Sequence, residues 1–276
     1  MTKNFYCLED DVNDLKFLIA SKVRMNIIIS LHSGPKKFNE LNQITGIAST
    51  TIAHSLKEME MKKWIYRKGN ISYLTPTGKI IALNLIKLMK KFDTFKQQSI
   101  FWKNHKLDAI PENLQKNIDN LRETFLVEAT LDNLDKPFTN YLNLLSDANK
   151  MNAVLSICFS GHTDAIHNIL IKGCHVKLIV AEDIFKQFIW QFDPSIIKNF
   201  IEKGNLEIWI SSELLEINCV VSDTFICIGL FQENGVYDNS RLLMGHHRDS
   251  LDWGNELFEY YKKNSNLMDT KTIKIQ

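Results

Sequence analysis

The spacing of apolar residues predicts a cluster of short amphipathic helices in the first third of the chain. Apolar residues recur at helical intervals from Leu8 to Ser21, and a strongly apolar helix follows from Val23 to Leu31. Phe38, Leu41 and Ile44 then mark the inner side of a third helix. We expect these helices to bury their apolar faces in a common core.

A tight turn separates the third helix from a fourth, which is the arrangement of a helix-turn-helix. Gly46 can adopt the left-handed conformation that ends a helix, and the Ser49 hydroxyl is expected to cap the next one. Ile52, Leu56 and Met59 should be buried, because they fall on one side of that helix. Its polar residues are predicted to lie outside: Thr50, Thr51, His54, Ser55, Lys57 and Glu58.

This polar set suits a recognition helix, because hydroxyls, an imidazole and a lysine can reach base edges or phosphates in a major groove. The alternative is an ordinary solvated helix face, since a single short motif carries little information. We predict that Thr50, Thr51, His54 and Lys57 contact DNA, and that Ser49 could also hold a phosphate.

The stretch after this helix predicts a β-hairpin. Two runs rich in aromatic and β-branched residues, Trp64 to Lys68 and Ile71 to Leu74, flank a two-residue turn signature, Gly69-Asn70. A basic-tipped hairpin directly after a helix-turn-helix is typical of a winged helix, whose wing neutralises phosphate charge. The predicted wing contacts are Arg67, Lys68 and Asn70.

Length and charge favour two domains with different partners. The 276 residues exceed the usual size of one domain. Between Met1 and Ile110 there are 18 Lys and Arg against 9 Asp and Glu, a net +9, whereas the remainder has 15 against 23, a net −8. The positive half is what phosphate binding requires, and the negative half argues against nucleic acid as the partner of the second domain.

The cysteines and the apolar runs indicate a cytoplasmic protein. The five cysteines are odd in number, lie far apart and form no CxxC pair. Buried reduced thiols are the expected state, with a redox switch or metal site as the alternative. The polar N-terminus does not resemble a signal peptide, and no apolar run is long enough to cross a bilayer, so we predict no membrane partner.

The second half of the chain changes to alternating strands and helices, which predicts an α/β sheet with at least partly parallel strands. The predicted strands run from Thr124 to Ala129, Val154 to Phe159, Val176 to Ala181 and Leu206 to Ile210. A hairpin between Cys219 and Leu230 and an amphipathic helix from Leu251 to Tyr261 follow.

We therefore predict an α+β protein with a winged helix-turn-helix domain and an α/β sandwich. The predicted boundaries are 1–98 for the DNA-binding domain with its long C-terminal helix, 99–123 for a linker and short helix, 124–264 for the α/β domain, and 265–276 for a loose tail. Trp102 to Glu112 is polar and interrupted, which is typical of a hinge.

The long helix from Lys79 to Phe95 has more apolar surface than one stripe. That surface favours a homodimer, because two readers held about one helical turn apart can grip a palindromic site. Packing within one chain is the alternative.

Three strings of residues make the chain resemble a known family. They are W-x-x-H-x-L-x-x-I-P-E from Trp102 to Glu112, F-I-C-I-G-L-F-Q-E-N-G-V-Y-D from Phe225 to Asp238, and W-G-N-E-L-F-E-Y-Y from Trp253 to Tyr261. Together with the winged helix, they resemble archaeal two-domain regulators of the methanogenesis filament-regulator (FilR) type over nearly the whole chain.

The resemblance implies a transcriptional regulator of double-stranded DNA from an archaeon, in particular a methanogen. It implies a C-terminal domain that senses an unidentified small molecule or mediates assembly. That domain is similar in pattern to phospholipase-D-like α/β sandwiches.

An enzyme is the competing interpretation. Phospholipase-D chemistry uses H-x-K-x4-D, in which the His attacks phosphorus and the Lys binds phosphate oxygens. His175 and Lys177 match, but Glu182 stands at the aspartate position and Asp183 is one place late. A polar strand edge explains the motif more simply, so we predict that the chain is not an enzyme, with phosphodiester chemistry at His175 and Lys177 as the alternative.

A second polar cluster gives candidate ligand-binding residues: Arg241, His246 and His247. With Asp249 and Asp252 the histidines could bind a metal, or with Arg241 they could line an anion pocket. A solvated loop leading into the last helix is the default interpretation, because adjacent histidines point different ways and no spaced third ligand is evident. We predict no metal site and no cofactor.

Overall fold

The computed structural model describes residues 9–159, 161–191 and 194–269, and the chain forms two compact units. The units are Met1–Lys90 and Lys91–Gln276, so their boundary falls inside one long helix, Pro76–Gln97. Each unit has its own buried hydrophobic core, as independent domains do.

The first unit is a winged helix, as predicted from the sequence. Its elements are α1 (Glu9–Ile19), α2 (Lys22–His32), β1 (Lys36–Lys37), α3 (Phe38–Thr45), α4 (Ser49–Met61), β2 (Ile65–Lys68), β3 (Ile71–Leu74) and α5 (Pro76–Gln97). The strands form an antiparallel sheet in the order β1-β3-β2. The two-residue strand β1 was not predicted, because it is too short to produce a periodic pattern.

The helices of this unit meet through the apolar positions that the sequence pattern indicated. Ile28 of α2, Leu41 of α3 and Leu56 of α4 are buried in one core. Trp64 closes this core beneath the wing, and its backbone carbonyl accepts a hydrogen bond from Thr75 N at 3.0 Å. The core therefore fixes the helix-turn-helix and the wing relative to each other.

The second unit is an α/β sandwich. Its helices are α6 (Ser99–Asn104), α7 (Glu112–Gln115), α8 (Lys136–Ser146), α9 (His162–Ile171), α10 (Glu182–Gln191), α11 (Pro194–Glu202) and α12 (Arg248–Lys263), with a 3₁₀ turn at Ile118–Leu121. Its strands are β4 (Thr124–Glu128), β5 (Lys150–Leu155), β6 (His175–Ala181), β7 (Leu206–Ser211), β8 (Ile217–Ser222), β9 (Ile226–Leu230), β10 (Arg241–Gly245) and β11 (Ser265–Leu267).

The described strands of this unit form a mixed eight-stranded sheet in the order β11-β7-β6-β5-β8-β9-β10-β4. The strands β5, β6 and β7 are parallel, as the strand–helix alternation predicted, and the other neighbours are antiparallel. Alternate residues face opposite layers: Val220 packs with α8 to α11, whereas Cys219 and Val221 pack with α6, α7 and α12. Helices thus cover both faces of the sheet.

The segment predicted as a linker and hinge is part of this second core. Phe101, Trp102, Ile110 and Leu114 are buried against one face of the sheet. The polar residues between them concealed apolar positions that are too irregularly spaced to give a periodic signal.

Three predictions about strands were also wrong. The strand β5 begins at Lys150 rather than Val154, because a central strand is apolar on both faces and its start is not marked by alternation. The strand β10 was not predicted, and its last two residues, Met244 and Gly245, were assigned to a solvated loop. In the predicted loose tail, Ser265–Leu267 pairs with β7 as an edge strand, and backbone pairing of this kind requires little from the side chains.

Candidate nucleic-acid interface

The outward face of α4 carries the four predicted DNA-reading side chains. Thr50, Thr51, His54 and Lys57 are exposed, whereas the opposite face is buried. The buried residues are Ile52, Ser55, Leu56 and Met59. Ser55 was predicted to be exposed. It lies three residues after Ile52, a spacing that places both side chains on the same, buried face of the helix.

The turn before α4 is rigid, and one predicted detail of it was wrong. Gly46 adopts the left-handed conformation with φ of 64°, and its N–H donates to Asn42 O at 2.9 Å. Ser49 does not cap α4, because the capping position is Ala48 and Ser49 is already helical. Its Oγ instead accepts a hydrogen bond from Asn42 Nδ2 at 2.6 Å, which ties α3 to α4.

Glu58 orients two basic side chains beside this face. Its Oε2 lies 3.0 Å from Arg24 Nη1 and 3.4 Å from His54 Nδ1. Arg24 in turn lies 3.9 Å above the Phe17 ring, which holds the guanidinium in place. With Nδ1 turned toward Glu58, Nε2 is the His54 nitrogen left to face a ligand.

The wing lies beside α4 and is braced against it. Arg67 donates from Nε and Nη2 to Glu60 Oε2 at 3.0 and 2.6 Å, so its charge is already paired. Lys68 is exposed, with Nζ 5.9 Å from the Tyr66 ring centre. Asn70 lies at the exposed turn, where its carbonyl accepts a hydrogen bond from Phe38 N at 3.2 Å.

The two lysines of β1 join this basic surface. Lys36 and Lys37 pair with Ser72 and Ile71 of β3, so they belong to the wing sheet. The sequence did not predict this pairing, because a charged dipeptide gives no sign of a strand.

The candidate ligand residues of the second unit do not converge. Arg241 opens β10 and His246 follows its end, about 17 Å further along at roughly 3.3 Å per residue. Arg241 is bound to Glu128 at 2.9 Å and to Asp238 at 3.2 Å. His247 caps α12 by accepting from Asp249 N, and His246 bonds the Thr224 carbonyl. This arrangement does not support an anion pocket shared by Arg241 and the two histidines.

The H-x-K motif is also dispersed. His175 opens β6, whereas Glu182 follows the other end of the strand, about 23 Å away at roughly 3.3 Å per residue. Lys177 Nζ is paired with Glu207 at 3.0 Å. A glutamate stands at the aspartate position of the motif and the motif lysine is already paired with a carboxylate, so the described geometry does not favour phospholipase-D chemistry.

The thiols and the membrane question can be stated for the described residues. Cys158, Cys174, Cys219 and Cys227 form no disulfide bonds, and Cys7 lies outside the described range. Burial raises the pKa of Cys219 to about 12, which leaves it protonated and unreactive. In the described part of the chain no group of three or more His, Cys, Asp or Glu could hold a metal, and no helix could span a membrane.

Two family models match the chain, one in each unit. The N-terminal domain of the methanogenesis regulatory protein FilR1 matches residues 12–93, and its middle domain matches residues 134–264. The chain belongs to the FilR1 family.

A curated FilR1 relative, the methanogenesis regulatory protein FilR1 of Methanothrix harundinacea (strain 6Ac), is 27% identical over 266 residues. The match covers 94% of this chain but 59% of the relative, so the chain spans less than two thirds of that FilR1 protein.

Solved structures resemble the FilR1-family chain more loosely. The archaeal chromatin protein TrmBL2 aligns with a TM-score of 0.42 at 12% identity, covering 92% of this chain and 98% of that one. Nuc of Salmonella typhimurium, a phospholipase D family member, aligns with a TM-score of 0.40 at 12% identity, covering 53% of this chain and 99% of Nuc.

Proposed function

We propose that this chain is a DNA-binding transcriptional regulator whose α4 helix reads a major groove. The observation that carries the proposal is the outward face of α4, where Thr50, Thr51, His54 and Lys57 stand exposed on a helix that the core holds rigidly. Their hydroxyl, imidazole and ammonium groups suit base edges and phosphates. FilR1-family membership supports a regulatory role.

The wing and β1 supply the backbone contacts in this proposal. Lys68 is free to neutralise a phosphate, and Lys37 and Asn70 lie on the same exposed sheet. Arg67 would have to exchange Glu60 for a phosphate, so its net gain is smaller. The Ser49 hydroxyl already accepts a hydrogen bond from Asn42, so it is an unsuitable phosphate ligand.

The proposed regulator is a homodimer. In the first unit, Ile80, Leu83, Leu88 and Met89 of α5 are 45–64% exposed, and Leu15 of α1 is 56% exposed. This is a wide apolar surface for a small soluble domain, and a second copy would cover it while placing two α4 helices on a palindromic site. Leu83→Glu should shift the sedimenting species from dimer to monomer, whereas Asn84→Glu, which adds the same charge at an exposed polar neighbour, should not.

The second unit is the proposed sensor of a small-molecule effector or the site of assembly. The dispersed H-x-K motif makes phosphodiester hydrolysis the weaker alternative.

Binding to the DNA upstream of its own gene tests the proposed function. The full chain should prefer that fragment over a scrambled one by ~10³ or more, across a series of salt concentrations. Equal and steeply salt-dependent binding to both fragments would leave only a basic surface and would sink the proposal.

A further inference from the structure

A closed group of aromatic rings lies beside the C-terminal end of β5, on the face covered by α8 and α9. The aromatic cluster consists of Phe138, Tyr141, Phe159, His162 and Tyr237. Ring centres follow one another at 6.1 Å from Phe138 to Tyr141, 5.3 Å from Tyr141 to His162, 6.3 Å from His162 to Phe159, and 4.8 Å from Phe159 back to Phe138. Tyr237 lies 5.7 Å from Phe159.

Three polar atoms at this cluster are buried without a hydrogen-bond partner in the described part of the chain. They are His162 Nδ1, Tyr237 Oη and Asn218 Oδ1, on residues that are 1, 8 and 7% exposed. The Asn218 amide lies beside the Tyr237 hydroxyl, but not in a geometry that makes a hydrogen bond. Buried polar atoms are nearly always paired, so three unpaired ones in one place favour a ligand that pairs with them.

Tyr237 is held in this position by a close approach to the sheet. A Cβ on Gly229 would lie 1.9 Å from Tyr237 Oη, so the hydroxyl can rest against β9 because that residue is glycine. Phe159 is half-buried, which gives the cluster one side toward solvent.

The position in the sheet is where α/β folds bind ligands. The strand order reverses at β5, because β6 and β7 lie on one side of it and the later strands β8, β9 and β10 lie on the other. Ligands of open α/β sheets bind outside the carboxyl ends of strands at such a switch point. One pair beyond the last printed pair of the antiparallel β5–β8 register, Val154 with Cys219, Asn218 lies opposite Leu155, and His162 opens α9.

We propose that the aromatic cluster, with Asn218, binds a small uncharged planar ligand that donates at least one hydrogen bond. The aromatic rings provide flat apolar walls, and Asn218 Oδ1 can only accept. His162 bonds Tyr141 Oη through Nε2 at 2.7 Å, which leaves Nδ1 for the ligand. This inference rests on the proposed role of the second unit as a sensor.

The electrostatics exclude a charged ligand. None of the cluster side chains carries a charge near neutral pH, because burial lowers the pKa of His162 to about 4 and raises those of both tyrosines. The neighbouring Asp238 is already bound by Ser240, Arg241 and His105. An ion would lose its hydration without gaining a counter-charge.

The aromatic cluster lies one residue away from a contact with the end of α6, the helix that follows α5 along the chain. Asp238 follows Tyr237 and pairs with His105 at 3.1 Å, and Lys106 N donates to Phe231 O at 2.8 Å. These bonds tie the loop that carries Tyr237 to the end of α6, the helix that follows α5. A ligand that moved Tyr237 would therefore act on the helix leading to the DNA-binding unit.

Three probes of one shape and different charge test the proposal by calorimetry on the full chain without DNA. Benzamide is uncharged, benzoate is its anion-bearing counterpart and benzamidine its cationic one. Benzamide at millimolar concentration should bind and raise the melting temperature, and the two ions should do neither. Failure of all three to bind, or equal binding by an ion, would overturn the proposed site.

Matched tyrosine variants locate the binding. Tyr237→Phe removes a hydroxyl that has no partner, so it should weaken benzamide binding at least tenfold without lowering the melting temperature. Tyr260→Phe, at a half-exposed tyrosine of α12, should bind benzamide like the wild type. Equal binding by Tyr237→Phe would place the probe elsewhere and overturn the inference. A DNA titration of the same protein keeps failure of the two proposals distinguishable. Absence of specific DNA binding would contradict the proposed regulator, whereas the calorimetric result for benzamide would still decide whether the ligand site exists.

Discussion

Two histidines illustrate how differently the two units use polar side chains. The His54 side chain on α4 is 73% exposed and leans on one carboxylate at 3.4 Å. The His105 side chain is fully buried; its Nδ1 donates to Phe101 O at 2.6 Å, and its Nε2 lies 3.1 Å from Asp238. The first unit exposes its functional side chains, so they can be replaced with little loss of stability, whereas the second unit buries its polar groups in the core.

Removing each histidine gives the largest contrast. His105→Ala should lower the free energy of unfolding by about 3 kcal/mol, because it leaves a cavity and removes one partner of a buried carboxylate. Ser240 and Arg241 still bind Asp238, which limits the loss. His54→Ala should change stability by less than about 0.5 kcal/mol. Urea unfolding followed by circular dichroism measures both, and similar losses would erase the distinction between the units.

Lowering the pH should destabilise the second unit, which contains His162, and the first unit has no such buried histidine among its described residues. The folded pKa of His162, about 4, lies below the unfolded value of about 6.5, so the unfolded state binds more protons between these values. Stability must then fall as the pH drops below about 6.5, by roughly 2 kcal/mol at pH 5 relative to pH 8. Its partner Tyr141 and the groups next to Tyr141, Cys227 and Tyr237, do not titrate in this range.

The difference between the wild type and His162→Phe isolates this effect. Carboxylates with lowered pKa values, such as Asp223 and Asp238, also cost stability in acid, but they do so in both proteins. An identical pH dependence in the variant would mean that His162 does not govern the acid response.

The contrast also explains what the sequence could predict. The α4 face is local: Ile52, Leu56 and Met59 mark its buried side, and four polar residues follow from the same periodicity. The aromatic cluster draws on α8, the loop after β5, α9 and the segment after β9, so no single stretch carries its signal. Arg241 and His246 are close in sequence and were therefore expected to share a pocket, but the length of β10 separates them.

Replacing His54 should leave the stability of the first unit almost unchanged but should alter its DNA binding. His54→Ala should change the preference at one base pair by ~1–2 kcal/mol, toward the low end of base readout because one ring nitrogen makes a single contact. Nε2 is that nitrogen, since Nδ1 faces Glu58. Affinities for a set of single-base variants of the bound fragment measure this change. A uniform loss across all bases would assign His54 to the backbone.

Lys68 should give the smallest effect and the clearest sign of a phosphate contact. Lys68→Ala should weaken binding to every sequence alike and reduce the slope of log affinity against log salt by about 0.9, the value for one released counterion. Arg67→Ala should change the slope less, because Glu60 already neutralises Arg67 and loses its own partner when the arginine is removed. Lys263→Ala, at an exposed lysine of the second unit, should leave the slope unchanged. If the Lys68 and Lys263 variants shifted the slope equally, DNA would be responding to overall charge, and the wing would have no particular place on the groove.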